Sequence, residues 1–161
     1  MSVQAVREYL APLSLDARVM EFEASSATVE LAAAALGTEP ARIAKSLTFY
    51  GNNGSCIMIV TAGDQKIDNT KFKAQFGLKA KMMSAEDALA ATGHAVGGVC
   101  PFALPACGVT VYLDLSLRRF DTVYPAAGSS SSAVRLSCEE LETSARPLAW
   151  IDVCKAREPQ I

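Results

Sequence analysis

Four places in the 161-residue sequence set side by side residue types that chemistry could use. The first is Lys45, within Ile43-Ala44-Lys45-Ser46-Leu47-Thr48-Phe49. Strand alternation puts Ile43, Lys45, Leu47 and Phe49 on one face, which is apolar except for the lysine. An ammonium is costly to bury unpaired. Lys45 therefore either snorkels from a strand end or points into a polar cavity, where it could bind a phosphate or carboxylate. The second is Gly97-Gly98-Val99-Cys100-Pro101-Phe102. Two glycines let backbone N–H groups approach an oxyanion or carbonyl closely, and Pro101 stiffens the loop; the same string also fits an ordinary turn into a strand. The third, Ala126-Ala127-Gly128-Ser129-Ser130, suits either a ligand wall or a solvated loop. The fourth is Cys100 with His94 before it, which could be a thiol and its base; a structural cysteine beside a proline is the competing assignment. There is no Gly-x-Ser-x-Gly elbow, and a single histidine leaves few ways to build a Ser/His/Asp triad.

Bulk properties narrow these options. Half of the residues are apolar and a fifth charged, as in a soluble globular protein, and the length suits one domain over 1–161. Apolar stretches are interrupted well short of the ~20 residues of a membrane span, and the N-terminus lacks the apolar core of a secretion signal, so the expected location is cytoplasmic. The five cysteines match no zinc or CxxC spacing and are expected as free thiols, with no metal and no cofactor. A net charge of −2 argues against coating nucleic acid non-specifically. Lys66, Lys71, Lys73, Lys79 and Lys81 still concentrate positive charge, either as a solvated helix face or as a surface for a phosphate backbone.

Short elements must position these residues. Val3, Val6, Tyr9 and Leu10 recur at helical spacing until Pro12. A strand is expected over 17–22, then a helix over 28–36 stopped by Gly37. Strands over 42–50 and 55–61 flank a Gly51-Asn52-Asn53-Gly54 hairpin turn, and the apolar run Cys56 to Val60 reads as central. Asp68 or Asn69 caps a helix to Phe76, and Ser84 opens another to about Ala91 with a capping-box pattern. A loop runs from Gly93 to Pro105. Strands are expected over 109–113, 121–126, 133–136 and 147–153, with a second capping box at Ser137-Cys138-Glu139-Glu140. The irregular order predicts an α+β fold, a mixed sheet or barrel with flanking helices.

Taken in order, KSLTFY at Lys45, the GNNG hairpin, CIMIV, TGHAVGGVCPF, and VTVYLDLSLRRFDTVYPAAGS closed by SCEEL resemble the YbaK/EbsC family, the prolyl-tRNA-synthetase-associated editing domain. The resemblance runs from about Phe22 to Leu141. It implies a six- or seven-stranded sheet or barrel that hydrolyses the ester of a mischarged amino acid on tRNA, in trans or as a synthetase insert. The partner implied is the tRNA acceptor end with its amino acid, with room for a transient contact with a synthetase. The family lysine matches Lys45, the catalytic candidate. Phe22, Ser46, His94, Gly97, Gly98, Val99, Pro101, Ala127, Gly128 and Ser129 are the implied substrate-binding set. Within the resemblance, the third loop carries no Lys or Arg before Arg135, unlike the branch that clears cysteine, and lacks the Asn-x-x-Thr spacing of the alanine-clearing branch; a small amino acid such as alanine, serine or threonine is the expected substrate. Two other readings are a non-catalytic module binding tRNA or an aminoacyl-nucleotide, and a cysteine hydrolase using Cys100 and His94.

Overall fold

The structure is a computed structural model that describes residues 3–23 and 28–157. Its centre is β3 (Cys56–Ala62), every residue of which is buried. An unbroken apolar run is what a strand covered on both faces requires. β3 pairs antiparallel with β2 (Ile43–Tyr50) in seven-residue register, Ala44 opposite Ala62 through Tyr50 opposite Cys56. The hairpin between them is a single 3₁₀ turn, Asn52–Gly54, with Asn53 in the left-handed region at φ 58°. On its other side β3 runs parallel to β5 (Val109–Asp114), and β5 parallel to β9 (Ala149–Ile151). Beyond β2 lie β6 (Thr122–Pro125), parallel to it, and β8 (Leu136–Ser137). The six strands, in order β8-β6-β2-β3-β5-β9, form a curled mixed half-barrel. Two ribbons complete it: β1 (Val19–Glu21) with β7 (Ser132–Val134), and β4 (Gln65–Ile67) with β10 (Cys154–Ala156).

Five α-helices flank the sheet among the described residues: α1 (Val3–Leu10), α2 (Val29–Leu36), α3 (Asn69–Phe76), α4 (Ala85–Thr92) and α5 (Cys138–Ala145). Their ends follow local chemistry. Thr28, Asp68, Ser84 and Ser137 each accept a backbone N–H at an N-terminus, and Gly37, Gly77 and Gly93 close C-termini with positive φ. The expected box at Ser137 is complete, with Glu140 reaching back to the cap N–H. The one at Ser84 is half-formed. Its N–H donates to Tyr50 Oη instead, and the same phenol donates to Asp87.

The sheet buries two cores. The larger lies under α1 and α5 and holds Leu10, Met58, Val60, Phe102, Leu113 and Leu141. The smaller, on the other face, gathers Phe49, Ile57, Ile59 and Val153 around Phe72 of α3. Strand alternation sends Ala44 into the first core and Leu47 and Phe49 toward the second.

The expected elements are present with shifted ends, and two predicted strands are divided. The segment 133–136 breaks at exposed Arg135: β7 pairs with β1, and β8 with β6. The segment 147–153 breaks where the Asp114 carboxylate takes the Val153 N–H at 3.0 Å, after which the chain joins β4 rather than β5. β4 itself was not expected, because three residues between a turn and a helix cap carry no readable alternation. Residues 1 and 2 of the predicted first helix lie outside the described residues.

Phe72 is fully buried and its ring lies 4.9 Å from that of Phe49 and 4.6 Å from that of Phe76. Phe72→Ala should cost about 3–5 kcal/mol in chemical denaturation, because the smaller core has little else to collapse into the space.

Candidate functional site

Strand β2 has a divided edge, and the site lies at the division. Pairing with β6 ends at Ala44 opposite Pro125. Farther along, the Lys81–Met83 segment takes over: Met83 N–H donates to Thr48 O at 2.9 Å and Tyr50 N–H to Lys81 O at 3.0 Å. Peptide groups on one strand edge recur every second residue, so those of Ser46 face the same edge as those of Ala44, Thr48 and Tyr50. Neither β6 nor the Met82 segment reaches Ser46. Among the described residues its N–H and C=O on that edge have no backbone partner, and Ser46 lines a cavity of about 450 Å³.

The cavity walls come from five parts of the chain. β2 supplies Ile43 to Thr48, α2 supplies Val29, Ala32 and Leu36, and the segment before α4 supplies Met82 and Met83. The glycine loop contributes Val96, Gly97 and Val99; Tyr124, Ala126, Ser132 and Ala133 close the remaining side. The lining is mainly aliphatic, and among the described residues Lys45 is its only charged side chain. A few polar groups in an apolar recess are the usual make-up of a small-molecule site.

Lys45 resolves between its two sequence readings by doing part of each. Its stem lines the cavity, and its ammonium turns to the strand-end side and donates to the Gln65 carbonyl of β4. Burial lowers its pKa, Arg157 nearby lowers it further, and Cys154, Asp64 and Glu30 pull the other way. Asp64 is itself held by Arg119 and kept below the usual carboxylate range, chiefly by that hydrogen bond. The site thus makes the Lys45 charge harder to hold than it is in water.

The two glycine loops are in contact. A Cβ on Gly98 would lie 2.6 Å from Gly128 C and 2.7 Å from Ser129 N. Gly97 and Gly128 have φ of 86° and 96°, which disfavour any side chain. Gly98 does not line the cavity; it is the contact point that lets Gly97 and Val99 do so. Its N–H closes a turn onto Ala95 O at 2.9 Å, so it is not a free donor for a ligand.

The remaining candidates from the sequence fall around this centre rather than in it. Ala127 is fully buried in the larger core, and Ala126 takes the cavity-facing position. The Ser129 hydroxyl bonds Ser132 Oγ at 2.9 Å and its N–H the same atom at 3.2 Å, so this serine braces its own loop. Phe22 N–H donates to Ser131 O, next to the cavity residue Ser132. Pro101 lines a different recess of about 480 Å³ beside Tyr9 and Leu148. The sequence reading missed the Met82-Met83 pair, although two adjacent methionines before a helix cap in a lysine-rich stretch are an apolar signal out of place.

His94 and Cys100 are both 0% exposed. His94 Nε2 lies 2.7 Å from Phe102 O, which requires the proton on Nε2, and burial lowers the ring's pKa, so the ring is neutral. Cys100 Sγ sits 3.5 Å from that same nitrogen, with its thiol pushed up to about 12 by burial. A nitrogen already donating to a carbonyl cannot take the thiol proton. The pair is a pin that ties the glycine loop to itself, not a nucleophile and base. Among the described residues, no three His, Cys, Asp or Glu side chains converge as a metal-binding group, and no helix is long and apolar enough to cross a membrane.

A half-barrel with a compact cavity at an interrupted strand edge, walled by two touching glycine loops and one lysine, defines a class of small ligand-holding domain. This chain belongs to the aminoacyl-tRNA editing domain family, whose model matches residues 23–143. It is 51% identical over 155 residues to the uncharacterized protein YwhH of Bacillus subtilis (strain 168), covering 96% of this chain and 98% of that one. It is 36% identical over 87 residues to the proline–tRNA ligase of Pelobacter propionicus, a match that takes in 53% of this chain and 15% of the ligase. A crystal structure of a protein proposed as a trans-editing enzyme for prolyl-tRNA synthetase superposes with a TM-score of 0.85 at 27% identity, over 97% of this chain and 99% of that one. The hypothetical protein APE2540 superposes with a TM-score of 0.83 at 28% identity, over 94% and 99%.

Two substitutions separate the roles assigned above. Gly98→Ala should push the loops apart and lower both the melting temperature and any activity of the site. Cys100→Ala should keep activity intact and cost about 1 kcal/mol of stability, the scale of a small cavity. Loss of activity in a folded Cys100→Ala protein would restore the thiol as a nucleophile.

Proposed function

We propose that the protein is an aminoacyl-tRNA deacylase that acts in trans, hydrolysing the ester of a mischarged small amino acid. The observation that carries this reading is the edge of β2 at Ser46, which has no backbone partner among the described residues, set beside Lys45 in a mainly aliphatic cavity. An aminoacyl ester offers a compact side chain for the aliphatic walls, and a carbonyl and ribose for the polar edge. The family membership and the two synthetase-linked relatives support the same role.

In this reading water attacks the ester carbonyl carbon. The bond to the ribose oxygen breaks, that oxygen takes up a proton, and a free amino acid and an intact tRNA end are released. The chain need not supply a nucleophile: in this reading the hydroxyls of the lining, Ser46 and Ser132 among them, orient substrate or water rather than attack. Its contribution is position and electrostatics: we assign the N–H groups of the lining residues Ser46 and Gly97 to a developing oxyanion, and the Lys45 ammonium adds positive charge in a poorly solvated setting. Selection among amino acids rests on volume. One methylene is worth only about 1–3 kcal/mol, so Ala126, Val99 and Leu47 would exclude a larger group by contact rather than by a specific bond. The competing module, which binds tRNA or an aminoacyl-nucleotide without turnover, draws on the same feature: among the described residues no cavity group other than Lys45 is charged.

The test is a deacylation panel of wild type and Lys45→Ala on alanyl-, seryl-, threonyl- and cysteinyl-tRNA, mischarged and cognate. Wild type should release one small amino acid. Lys45→Ala should fold with an unchanged or higher melting temperature and lose about 10²–10³-fold in rate, the scale of removing one preorganised donor. Because burial lowers the Lys45 pKa, rate should fall on the alkaline side before the ordinary lysine value of ~10.4. Across that window the unfolded chain binds the extra proton, so the stability cost of burying the Lys45 charge is relieved as pH rises while activity falls. No release from any tRNA, with tRNA still bound, would replace this reading with the binding module.

A further inference from the structure

The β4–β10 ribbon carries an arrangement that strand pairing alone disfavours. Lys66 and Lys155 are directly opposite each other in antiparallel register, and both are exposed. Side chains opposed in this way lie about 4.5–5.5 Å apart at Cβ on the same face, where like charges destabilise the pair. Among the described residues neither ammonium has a carboxylate within ion-pair distance; the ion pairs nearby engage Lys71 with Asp152, Arg119 with Asp64 and Arg157 with Glu30. Lys155 is felt at Asp68, whose carboxylate is already committed to capping α3 at Lys71 N–H.

The pair is also close to the cavity. Gln65, the neighbour of Lys66, is the residue whose carbonyl holds the Lys45 ammonium, and adjacent Cα atoms are only 3.8 Å apart. The outward face of the ribbon therefore begins one residue from the carbonyl that anchors the catalytic candidate. The other lysines noticed in the sequence are placed differently. Lys71 is bound to Asp152 and to Cys154 O, and Lys81 lies over the Tyr50 ring at 5.4 Å. Of that run, Lys66 is the member joined by a second, unpaired cation from a distant part of the chain.

We infer that the outer face of the β4–β10 ribbon is the surface on which the phosphate backbone of the tRNA acceptor end rests while the aminoacyl group enters the cavity. The inference rests on the function proposed above and adds which face the nucleic acid uses. Two adjacent ammonium groups repel in the free protein and are both satisfied by phosphates spaced along a strand. This gives strength that depends on salt and not on base sequence.

The test compares wild type with the double variant Lys66→Gln/Lys155→Gln in three measurements. The first is binding of an uncharged tRNA transcript across a salt series. The second is hydrolysis of the aminoacyl-tRNA that wild type prefers, and the third is hydrolysis of the matching 3′-aminoacyl-adenosine, which has no phosphate. The variant should fold with a melting temperature equal to or above wild type. It should bind the transcript about tenfold more weakly at moderate salt, and the slope of log affinity against log salt should flatten by about one to two. Its loss of kcat/KM should be about tenfold greater on the tRNA substrate than on the adenosine ester. Unchanged affinity and slope, with wild type still deacylating tRNA, would overturn the surface and leave the proposed function standing. Equal losses on both esters would overturn it by making the lysines part of the cavity's own support. Wild type that neither binds nor deacylates tRNA would overturn both readings.

Discussion

The register of β2 against β3 is the constraint on which the rest depends. Seven consecutive cross-strand partners fix which side chains of β2 face which core and which peptide groups face the open edge. A slip by one residue would turn Lys45 toward the larger core, send Ala44 to the smaller one, and place a different residue at the unpaired edge. The buried run of β3 makes that slip costly, because every residue from Cys56 to Ala62 is already covered on both faces. The site is thus held in place by hydrophobic burial on the strand next to it. Its own polar groups contribute little, and several are left to be completed by whatever enters.

That division of labour explains the unusual restraint of the chemistry. The proposed deacylation asks for geometry more than for reactive side chains, since in it water is the nucleophile and the amino acid is measured by volume. The residues that look most reactive are the ones most firmly put to structural use. Cys100 and His94 are sealed under the glycine loop, and Ser129 spends its hydroxyl on Ser132. What faces the cavity among the described residues is backbone at the β2 edge, the Ser46 hydroxyl, the stem of Lys45 and aliphatic surface.

Much of this was legible in the sequence. The Lys45 strand, the hairpin, the capping residues and the central character of Cys56 to Val60 all follow from local patterns that act over a few residues. The glycine loops stood out as places where a backbone comes close to something. Local patterns do not carry the identity of that something. Gly98 meets Gly128, about thirty residues away, and no periodicity encodes that contact. The short strands β4 and β10 were illegible for a related reason: three residues are too few to alternate, and each is defined by its partner. Methionines 82 and 83 entered the cavity wall because they extend the edge of β2, a role set wholly by tertiary pairing. Pro101, which belongs to the same string as the glycines, faces another recess because the chain has already turned by then.

The anchor chosen by Lys45 has a consequence for how such a domain can be cut and moved. Its ammonium rests on a carbonyl of β4, and β4 is paired with β10, at the far end of the described chain. The family match stops at residue 143, before β9 and β10 begin. A fragment excised at those bounds, or a graft of them into another protein, would keep every recognisable motif and lose the strand that steadies the lysine's support. The portable unit of this architecture is accordingly larger than the part that its sequence signature marks.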